Sequence, residues 1–257
     1  MEHFFTCAEF VSVKWVQVLS GFSDKIESMK TEISTTGGEK IVGELRQKQA
    51  SERLLIICNG LRSSADHPAT KAITQKLYEH GHAVFTFNFS DTHGMNLKQQ
   101  VEDIAEIINH FDSYNEYILI GGSFGALSIS IAASRSPKIK GLITVNGFFG
   151  SGRVSGHLLT KYLAFRTLTA TSAKHRTFWK FYKREFHPEA ITIPVLVIHS
   201  KADKHVSIRQ SQDFYSRLAG PKEFRTLETS DHNLMPLTEV DPIVEIIDGW
   251  LAKTKAK

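Results

Sequence analysis

Residues 118–137 read ILIGGSFGALSISIAASRSP: an apolar run that halts at Gly121-Gly122, a lone Ser123, and then small residues at helical spacing. A short apolar run ended by turn residues fits a strand covered on both faces, and the residues from Phe124 to Arg135 predict a helix. Between them, Gly121-Gly122-Ser123-Phe124-Gly125 matches Gly-x-Ser-x-Gly. At ordinary glycine and serine usage the pattern arises by chance in about one chain in ten of this length, so alone it decides little. Its setting decides more. A serine on a sharp strand-to-helix turn is raised above the strand ends, which is the arrangement of a nucleophile elbow. Glycines at 121 and 125 remove Cβ atoms where strand and helix approach closely. The helix N-terminus below offers unpaired N–H groups to developing negative charge.

Outward from this corner the alternation recurs. Gly37-Gly38, between KTEISTT and EKIVGELRQ, predicts a hairpin. Strands are predicted at RLLIICNG (53–60), HAVFTFNF (82–89), EYILIGG (116–122), KGLITVNG (140–147), IPVLVIHS (193–200) and KEFRTLE (222–228). One helix is predicted with Pro68 near its start, Gly81 past its end, and Ala69, Ile73 and Leu77 on one face. A second places Leu97, Val101, Ile104, Ile108 and Phe111 together, and two more are expected at 206–220 and 242–254. Strands alternating with helices predict an α/β fold, a mostly parallel central sheet with helices on both faces.

Two segments break the rhythm. Residues 1–28 form an N-terminal extension that the pattern does not assign, and residues 29–257 form the expected α/β domain. Within that domain, about 148–188 is a long insertion between two strands, expected to be a small helical cap. From Arg153 to Arg184 it holds Lys161, Arg166, Lys174, Arg176, Lys180, Lys183 and Arg184 and no Asp or Glu, mixed with Phe165, Phe178, Trp179, Phe181 and Tyr182. One reading packs the aromatics down and turns the bases to water. The other makes the cap a selector of anionic substrates or of an acidic partner.

Composition excludes whole classes. The 257 residues are 41% hydrophobic and 23% charged, near ordinary globular usage, so disorder, collagen and coiled coil fit poorly. A net charge of +4 is mild and does not by itself argue for nucleic acid, whose binding surface should be a localised basic stripe, so no nucleic-acid partner is expected. Cys7 and Cys58 are unpromising as a disulfide, and a reducing compartment is the default. The apolar N-terminus starts with Glu2 in place of a basic region and is interrupted by Glu9 and Lys14, so it does not read as a signal peptide. No other run reaches the roughly 18 apolar residues of a membrane span. The expectation is a soluble, cytoplasmic protein with no metal or organic cofactor, since no metal-ligand spacing of His, Cys and Asp appears.

A serine hydroxyl attacks only when a base takes its proton, and that base needs a carboxylate to orient it. Of twelve histidines, His232 in LETSDHNLMP lies in the polar loop after the last strand, which opens at the same sheet edge as the elbow. His80, His110 and His175 fall in or beside helices, and His157 and His187 in the cap. Asp203 in VIHSKADKHVS follows the penultimate strand and is the expected acid; Asp231 adjoins His232 and is poorly placed to bond its ring. The other strand-end position, Asn146, is not an acid. The order Ser123, Asp203, His232 is the order of this chemistry on an α/β sheet. Backbone N–H groups of Phe124 and of Leu61, in the CNGLRSS loop, are the expected oxyanion donors, with Gly60 allowing close approach.

With these segments in place the chain resembles the serine hydrolases of the α/β-hydrolase superfamily, in the style of small esterases, thioesterases and serine-aminopeptidase-like members. The resemblance covers about Met29 to the C-terminus. ICNGLRSS stands where relatives often carry a His-Gly-aromatic oxyanion motif, and Asn59 replaces that His. FNFSDTHG resembles their Asp-x-x-Gly-His-Gly segment, although the stretch ending in His93-Gly94 lacks part of the glycine pattern. HSKADKHVS resembles their acid loop and TSDHNL their histidine loop. The resemblance implies cleavage of a carboxylic ester or thioester of a small acyl substrate through an acyl-enzyme. Three alternatives stay open: cleavage of an amide, acyl transfer to another acceptor, and a non-catalytic binding protein on the same fold.

Overall fold

The computed structural model describes residues 28–61, 63–91, 96–150 and 173–255. Eight strands form one sheet: β1 (Ser28–Ser34), β2 (Lys40–Arg46), β3 (Arg53–Cys58), β4 (Ala83–Asn88), β5 (Glu116–Gly122), β6 (Ile139–Val145), β7 (Val195–Ser200) and β8 (Lys222–Leu227). Their order is β1-β2-β4-β3-β5-β6-β7-β8. The expected hairpin, β1–β2, runs antiparallel, as does β2 beside β4, and every pair from β4 to β8 is parallel.

The helices are α1 (Pro68–Glu79), α2 (Leu97–His110), α3 (Phe124–Ala132), α4 (Ala173–Glu185), α5 (Ile208–Arg217) and α6 (Val240–Lys255). Successive side chains of a strand point to opposite faces, so a strand covered on both sides reads as unbroken apolar sequence. Leu54, Ile56, Leu119 and Val197 meet α2, α3, α4 and α5 through residues such as Ile104, Leu127, Phe178 and Phe214. Leu55, Ile57, Ile118 and Ile198 meet α1 and α6 through Leu77, Ile243 and Ile247. The sheet is therefore a middle layer between two helical layers. Among the described residues, no helix is long and apolar enough to cross a membrane.

Boundaries differ from expectation where local chemistry intervenes. The third helix ends at Ala132, not Arg135, because Arg135 N–H bonds Ala132 O at 2.8 Å in a tight turn ahead of Pro137. The last helix begins at Val240, not Pro242; a proline in the first turn forfeits no hydrogen bond, since those N–H groups have no intrahelical acceptor. β6 stops at Val145 because Asn146 takes φ +48° and turns the chain. Cys58 is buried and unpaired at the end of β3, and burial pushes its thiol pKa up; Cys7 lies outside the described residues.

Residues 1–27 of the expected N-terminal extension and 151–172 of the expected cap also lie outside them, while Ser28, the last residue expected in the extension, opens β1. Within the expected cap, α4 packs beside α2, buries Phe178 and Phe181 and turns Arg176, Lys180, Lys183 and Arg184 outward. Its aromatics join a stack that passes from Phe124 through Phe178, Tyr182 and Phe186 to Phe149 and Phe214. This portion fits the packed-down reading.

Candidate active site

The corner between β5 and α3 is a strained backbone held by its surroundings. Ser123 has φ +49° and ψ −118°, a conformation that side chains other than glycine's adopt rarely. It persists because its polar groups are committed: Ser123 N–H donates to Val145 O at 3.0 Å, and Phe148 N–H donates to Ser123 O at 2.9 Å. The glycine that follows is required by space. A Cβ on Gly125 would lie 2.2 Å from Cys58 O. The turn can thus be sharp only with that residue bare, and its sharpness presents Ser123 Oγ at the carboxyl edge of the sheet.

The neighbouring loops deliver the other two side chains. His232 follows β8, and its Nε2 lies 2.9 Å from Ser123 Oγ. Its Nδ1 lies 2.7 Å from Asp203 Oδ2, in the loop after β7. A carboxylate only accepts, so Nδ1 carries the proton and Nε2 presents its lone pair to the serine hydroxyl. The Asp203 side chain is sealed from solvent. Burial alone would raise its pKa, but hydrogen bonds from His232 and from the backbone N–H groups of Val206 (2.9 Å) and His205 (2.8 Å) outweigh that and lower it. Ser123, His232 and Asp203 are therefore one hydrogen-bonded chain. Asp231, the rival acid, faces away: its Oδ1 accepts from Asn233 N–H and Met235 N–H and closes the turn that carries His232.

No family model matches the chain, and no curated protein matches it. Solved structures do. Est1E from Butyrivibrio proteoclasticus superposes with a TM-score of 0.70 at 19% identity, over 89% of this chain and 99% of its own. An esterase domain from a Rhodothermus marinus protein gives 0.69 at 17% identity, over 88% and 98%. The α/β hydrolase domain-containing protein 10 from mouse gives 0.69 at 16%, over 88% and 99%. The chain has the α/β-hydrolase fold.

Within this α/β-hydrolase fold, four polar residues beyond those expected from sequence hold the loops around the site in place. Asn146 is the most central. It is buried, and its Nδ2 donates to both Asp231 O and His232 O at 3.2 Å, while its Oδ1 accepts Ser200 N–H at 2.8 Å. The strand-end position that carries no acid thus ties the histidine loop to β7. Glu239 accepts backbone N–H groups of Glu228, Thr229 and Ser230, where that loop leaves β8. Its partial burial works against ionisation, but those hydrogen bonds leave its pKa lowered.

His199 is the third, wholly buried at the end of β7. Its Nδ1 lies 2.7 Å from Ser211 Oγ, and its Nε2 lies 3.1 Å from Val206 O and 3.5 Å from Asp203 Oδ2. The carbonyl requires Nε2 to carry a proton, and in the neutral ring Nδ1 then accepts from the Ser211 hydroxyl. Burial is the largest cause of its lowered pKa, which the Val206 and Asp203 oxygens only partly offset.

Asn59 is the fourth. Its Nδ2 donates to Phe87 O at 2.9 Å, and its Oδ1 accepts Thr70 Oγ1 at 3.0 Å, which fixes the loop after β3 between β4 and α1. That loop grazes the elbow: a Cβ on Gly60 would lie 2.9 Å from Ser123 Cβ. Leu61 follows at the surface, and Phe124 opens α3, where a first-turn N–H has no intrahelical acceptor. Leu61, Ser123 and His232 line one cleft of about 150 Å³. The His93-Gly94 segment lies outside the described residues. Among those that are described, no group of three or more His, Cys, Asp or Glu is placed to hold a metal ion.

Of the other described histidines, His67 lines the cleft and the His205 ring lies 5.4 Å from the His232 ring. His80 and His82 both meet Asp248, and His187 meets Glu189. What sequence could supply for the added residues was slight. A polar residue at a strand's carboxyl end, as at Asn59, Asn146 and His199, was the available signal.

Proposed function

We propose that this protein is a serine hydrolase that cleaves a carboxylic ester or thioester through an acyl-enzyme. The observation that carries the reading is the chain Ser123 Oγ–His232 Nε2 at 2.9 Å and His232 Nδ1–Asp203 Oδ2 at 2.7 Å, mounted on a strained elbow. In this reading His232 takes the Ser123 proton as Oγ attacks the acyl carbon, and the ionised Asp203 stabilises the imidazolium that forms. The backbone N–H groups of Leu61 and Phe124 stabilise the oxyanion. The tetrahedral intermediate collapses, His232 gives its proton to the departing alcohol or thiol, and water repeats the sequence on the acyl-enzyme. Asp203 suits the role because its lowered pKa keeps it charged at neutral pH. Fold likeness to an esterase domain supports the assignment as analogy only.

A fluorophosphonate, which phosphonylates activated serines, tests the reading. Intact-protein mass should show one adduct on the native chain and none on Ser123→Ala. A native chain that stays unlabelled under conditions that label a control esterase contradicts it.

A further inference from the structure

We propose that the cleft beside Ser123 binds one apolar half of the scissile ester, a substituent of up to about six carbons, and so limits the substrate class. This inference rests on the hydrolase reading above. The cleft has a mouth and a floor, and the topology separates them. Gly60, Leu61 and Asn233 belong to loops above the carboxyl ends of the strands, level with Ser123 and His232. Ile57 and Ile120 lie below those ends, paired side by side on β3 and β5. α1 begins at the same edge and runs back down the sheet, so Ile73 lies deeper than Ala69. Val145, where β6 ends, completes the apolar wall.

Size and polarity set what fits. An apolar cavity of about 150 Å³ admits a benzene ring, and the cleft measures about 150 Å³. Ile57, Ile73, Ile120, Val145 and Ala69 are uncharged and aliphatic. Of the polar residues that also line the cleft, Asn59 and Thr70 are committed to each other and Asn59 to Phe87 O, while Ser63 and His67 precede α1 at the mouth. An ionised end of a substrate on the floor would thus lie without a partner, at a large desolvation cost. The substituent is therefore short and neutral. An anionic portion, if the substrate carries one, belongs at the polar mouth. Ile73 is the residue placed to set the length, because it is the deepest on the helical wall while Ala69 leaves space one turn above it.

The test uses two ester series on the native chain and on two variants. One series is p-nitrophenyl esters from acetate to decanoate; the other is acetate esters of alcohols from methanol to decanol. In one series kcat/KM should rise about fourfold per methylene up to four to six carbons, then fall at least about tenfold by ten carbons. The series that responds identifies which half occupies the cleft. Ile73→Ala should move that optimum longer by about two carbons, and Ala69→Leu should move it shorter. If Ile73→Ala does not fold, Ala69→Leu alone carries the test. A length profile that is flat in both series, or an optimum that neither variant moves, overturns the inference. Fluorophosphonate labelling of Ser123 separates the two failures: labelling with a flat profile, or with no ester turned over, sinks the cleft alone, and no labelling with no turnover sinks the hydrolase reading with it.

Discussion

The two sides of the candidate site are built from different materials. On one side, Ser123 is set by backbone and packing: positive φ, a glycine with no room for a Cβ, and main-chain hydrogen bonds to β6. On the other, His232 sits on a loop held by side chains reaching from other elements, Asn146 from β6's end and Glu239 from the turn before α6, with Ser200 Oγ donating to Ser230 O from β7. The Ser123 side is a shape that sequence must obey locally. The His232 side is a polar network whose members are far apart in the chain. Crowding the backbone of the first should cost the fold, and the second should fail by losing geometry while the fold survives.

That contrast can be broken or sharpened in order of expected effect. Ser123→Ala should lower turnover of an accepted ester by about 10⁶ with little change in melting temperature; retained turnover would remove the Ser123 side from the chemistry altogether. Gly125→Ala forces a Cβ to within 2.2 Å of a carbonyl oxygen and should cost about 3 kcal/mol or more of stability. A melting temperature equal to the native one would show that the corner is not the rigid shape described. Asn146→Ala should lower kcat about 10²-fold while KM changes little, since a misplaced base harms the reaction more than binding. Equal losses in kcat and in stability would make Asn146 a structural residue only.

The smallest effect is a pH dependence of stability. His199 has a folded pKa lowered by burial, so the unfolded chain binds more protons below the free imidazole value of about 6.5. Its contribution is present above that value and is lost as pH falls toward the folded pKa. The groups facing the ring are Ser211 Oγ, Val206 O and the Asp203 carboxylate. His199→Gln should therefore flatten the fall in urea midpoint between roughly pH 7 and 5 relative to the native chain. An unchanged slope would mean that the ring titrates as freely in the fold as out of it.

The same contrast explains what sequence could reveal. The elbow was legible because its requirements fall within five consecutive residues, and the sheet because doubly covered strands read as apolar runs. Asp203 and His232 were legible by elimination, from the loops that open at the right edge. The polar clamps were not. Asn146 and His232 are 86 positions apart, and nothing local distinguishes a clamping asparagine from one that merely ends a strand. Asp231 illustrates the limit: its neighbour in sequence is the histidine, yet its carboxylate serves the turn. Helix ends shifted for local reasons, at Arg135 and Pro242, that the apolar period does not encode.

The central claim is that Ser123 carries the acyl group during turnover, and mass spectrometry on the working protein tests it most directly. The native chain should be quenched in acid while it hydrolyses p-nitrophenyl acetate, then digested. The account predicts one acetyl group on the peptide that contains Ser123, absent in Ser123→Ala. Turnover with that peptide unmodified, or an acetyl group on another residue that persists in Ser123→Ala, would contradict it.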